Sequence, residues 1–305
     1  MSTIEQAIQS RQDTAPAPVR KFDRDQWKAQ KQQELEETFQ QLNDETMQLI
    51  NNPTKYKAFL DLQAKLPALS VGNALLILNQ KTDPITQLAS FKDWQEQGRS
   101  VKRGETGCRV LVPVNFKRED GSEGTSFRVG RIFDIIQTHG DPIAPVQKQV
   151  IELDQLVKVM VEKSPVRIIA DQTISAQHGA LFDPASKSIR VRSDLPDAVA
   201  VEVLAREMSH AALSAVHDDY DRGEKVFASS SAAYLVGKRY GYEPADFDPE
   251  MIQGFIWPND PVIIRAALND ARQAAKMVCQ RIDRGLDPQQ QNPHQSVRKP
   301  TEPTR

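Results

Sequence analysis

At 305 residues the chain is long enough for two ordinary domains, and its 39% hydrophobic content supplies apolar surface for two modest cores. A formal net charge of −2 and a pI near 6.3 exclude both a polycationic nucleic-acid-binding protein and a strongly acidic mimic of DNA. Any nucleic-acid site in this chain must therefore be a local patch of positive charge.

The two cysteines, Cys108 and Cys279, stand 171 positions apart and form no Cys-x-x-Cys pair. This pattern argues against a disulfide framework and against a thiolate zinc site, and it fits a reducing compartment. The N-terminal segment lacks the apolar core of a signal peptide, and no run approaches the roughly 18 to 20 apolar residues that a membrane span needs. We therefore expect a cytoplasmic protein with no membrane contact.

The first half of the chain is predicted to contain helices followed by a β-hairpin. Residues 1–20 are polar and are expected to be disordered, because they cannot bury enough apolar surface to offset the entropy of ordering. Apolar spacing and stop signals then predict four helices, at 23–51, 56–66, 70–79 and 91–98. Two β-rich runs, CRVLVPVNF and SFRVGRIFDIIQT, flank the polar turn KREDGSEG and predict an antiparallel hairpin.

The second half begins after a proline-containing stretch, 141–150, which is predicted to be a linker. Beyond it the sequence predicts a helix at 152–163, short strands at 166–170 and 188–193, and helices at 197–215, 224–240 and 261–284. The Pro- and Gln-rich tail, 286–305, is expected to be disordered. The predicted fold class is α+β, with a first domain of helices and a β-hairpin at 21–140 and a second α+β domain at 151–285.

Positive charge is concentrated in the first predicted domain. Residues 91–131 contain nine Lys/Arg and six Asp/Glu, a local charge of +3, whereas residues 150–250 contain eleven and seventeen, a local charge of −6. In the segment FKDWQEQGRSVKRGETG, cations stand beside two aromatic residues one helical turn apart. Binding of single strands needs this combination, because cations follow the phosphates and bases stack on aromatic faces. The candidate contact residues are Lys92, Trp94, Arg99, Lys102 and Arg103.

The same segment also has a plainer interpretation. Phe91 and Trp94 would share the core-facing side of a short helix, and the run RSVKRG would be a solvated turn. Composition by itself supports only a globular α+β domain with a mild basic patch.

A longer stretch of the first half resembles a known family. The string FLDLQAKLPALSVGNALLILNQKTDPITQLASFKDWQEQGRSVKRGETGCRVLVPV, followed after a gap by RIFDIIQTHG, is similar to the N-terminal domain of the antirestriction protein ArdC and its relatives on plasmids and conjugative elements. The matching points are Asn73 to Ile77, the pattern Phe91, Trp94, Gly98 and Arg99, Val101 to Glu105, Pro113, and Phe133-Asp134 to Gln137-Thr138. That family domain binds single-stranded DNA, so the resemblance, over about residues 35–140, implies this partner.

A second motif lies on the helix predicted at 197–215. In VEVLAREMSHAALS, Arg206, Glu207 and His210 occupy the positions of His-Glu-x-x-His with the first histidine replaced. In the intact motif two histidines at i and i+4 share a helix face and bind one zinc ion, while the glutamate polarises the metal-bound water. Glu207 and His210 alone are not diagnostic, because such pairs occur by chance on many surface helices.

The sequence around this motif resembles the zincin-like domain of the ArdC family, over about residues 150–282. GALFDPASKSIRVRSDL is similar to the strand-turn-strand that precedes the active-site helix, and KVFASSSAAYLVGKRYG is similar to the helix that follows it. The family has Ala-Glu-Ser where this chain has Ser229-Ser230-Ser231, so the resemblance implies that the third ligand position is Ser230. Two of the three expected ligands are therefore absent.

The zinc motif is accordingly expected to be degenerate. A guanidinium at Arg206 keeps its proton near neutral pH and would repel a zinc ion, and His210 alone cannot hold one. We predict no catalytic residue, no metal and no cofactor, and an i, i+4 or interhelical contact of Arg206 with a carboxylate. One alternative metal site stays open, formed by His210 and His217 with Asp218, Asp219 or Asp221, although the segment AVHDDYDRGEK is also typical of a solvated loop.

Three functions remain. The first is a single-stranded-DNA-binding protein of a mobile genetic element, of the antirestriction or conjugation accessory type, with an inactive metallopeptidase-like domain that could contact a protein partner. The second is an active zinc metalloprotease, which the ligand losses oppose. The third is a protein-interaction module with neither activity, which a DNA-binding titration separates from the first.

Overall fold

A computed structural model describes residues 23–81, 85–118, 120–143, 151–245, 247–250 and 260–286 of the chain. The disorder predicted for the two termini and most of the predicted linker lie outside these residues. The described part combines helices with small β-sheets, which confirms the predicted α+β class.

Three helices open the described chain: α1 (Arg24–Ile50), α2 (Pro53–Lys65) and α3 (Val71–Gln80). Each begins after a side chain that accepts hydrogen bonds from the first free backbone amides, namely Asp23, Asn52 and Ser70. Helix α2 starts earlier than predicted, because Pro53 occupies its first turn, where the missing amide is not needed. The predicted helices at 23–51, 56–66 and 70–79 are thus confirmed.

The next part of the chain alternates short elements with a long hairpin: β1 (Leu88–Ser90), α4 (Phe91–Glu96), β2 (Arg99–Val101), β3 (Cys108–Lys117), β4 (Glu123–Asp134) and β5 (Thr138–Gly140). Strands β3 and β4 form the predicted antiparallel hairpin, and β1 pairs with the other edge of β4. Strands β2 and β5 form a separate two-stranded ladder. The three-residue strands were not predicted, because they are too short to show an alternating pattern.

Strand β3 lies at the edge of its sheet, and two amide side chains on α3 cover that edge. Asn73 exchanges two hydrogen bonds with the backbone of Leu111, at 2.8 and 3.0 Å, and Gln80 does the same with Arg109, at 2.7 and 3.0 Å. Because the two amides are two helical turns apart, they meet alternate residues of the strand. The next such position is Pro113, which has no N–H to satisfy.

The second half contains α5 (Leu153–Glu162), β6 (Arg167–Ala170), β7 (Ala180–Asp183), β8 (Ser188–Val191), α6 (Asp197–Ser214), α7 (Val226–Arg239) and α8 (Pro261–Leu286). Strand β8 lies between the other two, parallel to β6 and antiparallel to β7. The predicted helices and the strand-turn-strand before α6 are confirmed. None of the described helices is both long and apolar enough to span a bilayer.

The two halves of the described chain bury one continuous apolar cluster. The ring of Tyr56 on α2 packs 5.8 Å from that of Phe227 on α7, and its hydroxyl group hydrogen-bonds to Ser231. Next to this contact, Lys57 Nζ donates to the hydroxyl oxygen of Tyr234 at 2.9 Å. The division into two domains stays a prediction about the chain, but α2 and α7 pack directly against each other.

Candidate functional site

Trp94 lies within the predicted DNA-binding segment, but its side chain belongs to the core. A capping box between Ser90 and Asp93 starts helix α4, on which the Trp94 side chain is 0% exposed. Its indole N–H donates to the carbonyl of Phe133 at 2.9 Å. A ring without an exposed face cannot stack on a base, so this geometry gives Trp94 a packing role. Phe91, one turn earlier, stays 49% exposed.

The guanidinium of Arg99 is held by acceptors of strand β5 and the residue that follows it. Its Nε donates to Thr138 Oγ1 at 2.8 Å, and Nη1 donates to the carbonyl oxygens of Gly140, at 3.3 Å, and Asp141. These contacts tie β2 to β5 across the ladder. Arg99 therefore stabilises the scaffold of the basic segment, and most of its donors are already used within the protein.

The other three predicted contact residues lie on the surface. Lys92 is 83% exposed at its side chain and stands 3.4 Å from Glu96. Lys102 is exposed, and its Nζ donates to the carbonyl of Ile136 at 2.8 Å. Arg103 is also exposed and has no hydrogen bond or ion pair with any described residue. Lys102 and Arg103 thus lie side by side in the turn between β2 and β3, with their charges available to an external anion.

The far half of the hairpin, which we define as residues 113–128 around its turn, carries exposed residues that were not among the predicted contacts. The ring of Phe116 is 45% exposed and lies over Gly124 on the paired strand, where a Cβ atom would come within 2.7 Å of the ring. Three exposed cations accompany it: Lys117, Arg118 and Arg128. The signal for them is present in the runs NFKR and SFRVGR, which place phenylalanines beside cations but also have high β-propensity.

A cavity of about 400 Å³ lies beside helices α6 and α7, next to the motif that resembles His-Glu-x-x-His. Arg206 and Ser230, the two positions at which the resemblance implies zinc ligands, both line this cavity. Arg206 Nη2 donates to the carbonyl of His178 at 2.8 Å, and Nε donates to Glu207 Oε1 at 3.1 Å. Arg206 therefore contacts a carboxylate, as predicted, but that carboxylate is its neighbour in sequence and not an i, i+4 or interhelical partner.

Glu207 is completely buried and both of its carboxylate oxygens have partners. Arg222 donates to Oε2 at 2.8 Å and to Oε1 at 3.0 Å, and the backbone amide of Phe182 donates to Oε2 at 2.8 Å. Burial acts to raise the pKa of Glu207, but the hydrogen bonds and charge of Arg222 outweigh it and hold the pKa below its usual value. The carboxylate is thus an ion-pair partner and is not free to act as a base.

His210 is 1% exposed and is enclosed by two hydroxyl groups. Tyr220 Oη lies 2.8 Å from Nδ1, and Ser229 Oγ lies 2.8 Å from Nε2. Because Ser229 Oγ also donates to the carbonyl of Val226, we assign the imidazole proton to Nε2 and the acceptor role to Nδ1. Burial, with the charge of Arg222, lowers the pKa of His210 to about 4, so the ring is neutral near pH 7.

These residues do not fit a zinc ion. Among the described residues no group of three or more His, Cys, Asp or Glu side chains is arranged to hold a metal. His217, a member of the alternative ligand set, lies 3.2 Å from Asp270 on α8. The guanidinium of Arg222 binds Glu207. A catalytic zinc site needs this glutamate free to act as a general base. Arg222 and Tyr220 were missed by the sequence analysis, which interpreted AVHDDYDRGEK as a solvated loop.

Comparison with known proteins gives a result at the level of fold. No protein-family model matches the chain, and no curated protein matches it. Two crystal structures of antirestriction protein ArdC from plasmid R388 are similar at 17% identity. The metal-free structure gives a TM-score of 0.49 over 70% of this chain and 84% of that one, and the Mn(II)-bound structure gives 0.52 over 69% and 84%. The chain therefore has the fold of the antirestriction protein ArdC.

Proposed function

We propose that this chain binds single-stranded DNA through the turn between β2 and β3 and the far half of the β3–β4 hairpin. One observation carries the proposal: five exposed cations of this turn and hairpin have no carboxylate at ion-pair distance among the described residues, namely Lys102, Arg103, Lys117, Arg118 and Arg128. Two cations in neighbouring elements are paired, Lys92 with Glu96 and Arg131 with Glu34. Cations without a carboxylate partner are the ones that can neutralise phosphates.

Exposed phenyl rings near these cations favour single strands over duplex. Phe116 is 45% exposed beside Lys117, and Phe91 is 49% exposed one residue before Lys92. Unpaired bases can stack on such rings, whereas the bases of a duplex are already stacked on each other. In our proposal Trp94 and Arg99 stabilise this surface without contacting DNA. Trp94 packs in the core, and Arg99 links β2 to β5.

The cellular setting of the proposal follows from the fold and from the sequence resemblance. The two similar crystal structures are both of an antirestriction protein from a plasmid. We assign this chain to the same setting, as an antirestriction or conjugation accessory protein of a mobile genetic element in the cytoplasm.

The test is a fluorescence anisotropy titration of the full chain with labelled oligothymidylate and with a duplex of equal length. We expect tighter binding to the single strand and a log K that falls with log salt by about 0.7 for each phosphate contact. Lys102→Ala with Arg103→Ala should reduce this slope by about 1.4. The matched control, Lys158→Ala on α5 with Lys163→Ala directly after it, should leave the slope unchanged. Equal affinity for duplex, or binding that ignores salt, would reject the proposal.

A second proposal concerns the zincin-like half, which we infer has no peptidase activity and serves as a scaffold or as a surface for a protein partner. It is supported by the ion pair between Glu207 and Arg222 and by the serine at position 230. A protease assay should show no activity above background. Activity that depends on one equivalent of zinc would restore the metalloprotease alternative, and a chain that binds neither form of DNA would favour the protein-interaction module.

A further inference from the structure

A groove of about 480 Å³ lies under the hairpin, on the face opposite Phe116, and connects the two halves of the chain. Because Phe116 faces Gly124 and Phe127 faces Pro113, the alternation of side chains along the strands places the two phenyl rings on opposite faces. The groove is bounded by β3 and β4, by α1, by the start of α3 and by the first turns of α8. The groove is separate from the five exposed cations of the turn and hairpin, and it is separate from the cavity beside α6 and α7.

Two phenyl rings form one wall of the groove. Phe39 on α1 and Phe127 on β4 meet edge to face, with ring centroids 5.9 Å apart and an angle of 85° between the rings. Phe127 remains 41% exposed even though it packs against Phe39. Pro113, opposite Phe127 in the hairpin, also lines the groove. The wall is therefore a preformed apolar and aromatic surface onto which a flat ring can pack.

A guanidinium group lies at the other side of the groove. Arg265 Nη1 donates to Asn43 Oδ1 at 2.9 Å and to Thr46 Oγ1 at 3.0 Å, which anchors one end of the guanidinium to α1. Its Nε and Nη2 groups have no partner among the described residues. Burial lowers the pKa of Arg265 below its ordinary value, and the charge of Asp260 only partly offsets this effect. The side chain is thus a fixed, partly desolvated cation with free donors.

Arg265 has no carboxylate partner among the described residues, whereas several other arginines of the second half are paired. Arg190, Arg192, Arg222 and Arg239 each have a carboxylate within 3.2 Å. Arg265 is anchored only by neutral acceptors, and so is Arg272, two turns further along α8, whose Nε donates to the carbonyl of Pro67 at 3.2 Å. Because a desolvated cation gains most from an anion that approaches it, the groove has the charge that complements a phosphate.

We propose that this groove is a subsite for one nucleotide of a single strand, with the base on the wall of Phe39, Pro113 and Phe127 and the phosphate on Arg265. The inference rests on the proposed function and extends it, because it makes a helix of the second half part of the DNA-binding site. The strand would pass from the exposed cations of the hairpin to the groove. A duplex cannot enter in this way, since its bases are not free to leave the stack at low cost.

The experiment uses the full chain and the same anisotropy titration with labelled oligothymidylate. Arg265→Gln keeps a polar side chain of similar length but removes the charge, and we expect about tenfold weaker binding and a salt slope smaller by about 0.7. Phe127→Leu should weaken binding by about tenfold without changing the slope, because it removes only the stacking surface. Arg281→Gln, the same change near the other end of α8, is the matched control and should bind like the natural chain.

The outcomes separate the groove from the proposed function. If the natural chain binds oligothymidylate and Arg265→Gln binds equally well with the same slope, the groove is not the subsite and the cation-rich surface alone carries DNA. If the natural chain does not bind single strands, the proposed function fails as well. Thermal melting checks that each variant is folded, and Arg265→Lys, which restores the charge, should recover most of the salt slope. Ultraviolet cross-linking should label a peptide that contains Phe39 or Phe127, and labels confined to other peptides would overturn the assignment.

Discussion

Arg222 and Glu207 form a bidentate ion pair, with distances of 2.8 and 3.0 Å, inside the second half of the protein. The pair joins helix α6 to the loop that leads to α7, and Glu207 contributes a fully buried carboxylate. In a metallopeptidase the corresponding glutamate needs a free oxygen beside metal-bound water. Here both oxygens bind a guanidinium, so the residue that the motif would use for catalysis stabilises a loop instead.

Removal of Arg222 should destabilise the protein more than removal of the whole pair. Arg222→Ala leaves a buried carboxylate without its main partner, and we expect the free energy of unfolding to fall by about 3 kcal/mol. Glu207→Gln with Arg222→Ala buries no unpaired charge and should cost less. Urea denaturation at pH 7.5 measures both, with Arg190→Ala, which removes a surface ion pair and should cost less than about 1 kcal/mol, as the control. Equal losses in the single and double variants would contradict this account.

Zinc binding should require three substitutions and not two. The protein as isolated is expected to contain no stoichiometric zinc. Arg206→His with Ser230→Glu supplies two further ligands, but the charge of Arg222 still lies beside the site and opposes a cation. Adding Arg222→Ala should therefore raise the zinc content, measured by elemental analysis after dialysis, towards one equivalent. The same triple variant with His210→Ala is the control and should lose it. One equivalent of zinc in the natural chain would disprove the interpretation of a degenerate site.

Acid should destabilise the protein in a pH range that His210 sets. The pKa of His210 is about 4 in the folded protein and near 6.5 when the ring is exposed. Between pH 6.5 and 4 the unfolded state therefore binds a proton at His210 that the folded state does not bind. The contribution is complete above pH 6.5 and is lost as the pH falls towards 4, up to about 3 kcal/mol in total. Glu207, whose folded pKa is lowered, adds a loss at still lower pH.

Urea denaturation at several pH values between 7.5 and 4 tests this expectation. His210→Gln removes the titrating ring and should flatten the dependence between pH 6.5 and 4, even if the variant is less stable at pH 7.5. His178 is exposed and its ring hydrogen-bonds to Ser175, so it offers a control: His178→Gln should keep the slope of the natural chain. An unchanged slope in His210→Gln would show that another group controls the acid response.

Removal of Arg99 should lower the free energy of unfolding more than removal of Lys102 and Arg103 together. Arg99→Ala breaks several hydrogen bonds to β5 and its C-terminal neighbour, so we expect a loss of about 1 to 2 kcal/mol in the free energy of unfolding. Lys102→Ala with Arg103→Ala should change it by less than about 0.5 kcal/mol, because both side chains are exposed. Thermal melting separates the two cases. A large loss of stability in the double variant would show that these cations also have a structural role.

Local sequence signals were sufficient for most of the secondary structure. Capping side chains such as Ser70, and apolar residues at helical spacing, mark helix ends to within about three residues, because these signals act between near neighbours. The turn KREDGSEG marked the hairpin in the same way. Strand β2 was not predicted because its stability comes from pairing with β5, about forty positions away, and from the contacts of Arg99.

By itself the sequence determined the helices, the hairpin, the location of positive charge in the first half, and the presence of Arg206 and Ser230 where the resemblance implies zinc ligands. Only the tertiary structure decided which groups meet. It buried Trp94 under Phe133, brought Arg222 to Glu207 from a loop that looked solvated, and set Arg265 against Asn43, 222 positions earlier in the chain. The physical reason is that propensity and capping act over a few residues, whereas burial and charge pairing depend on distances that exist only after distant segments have packed.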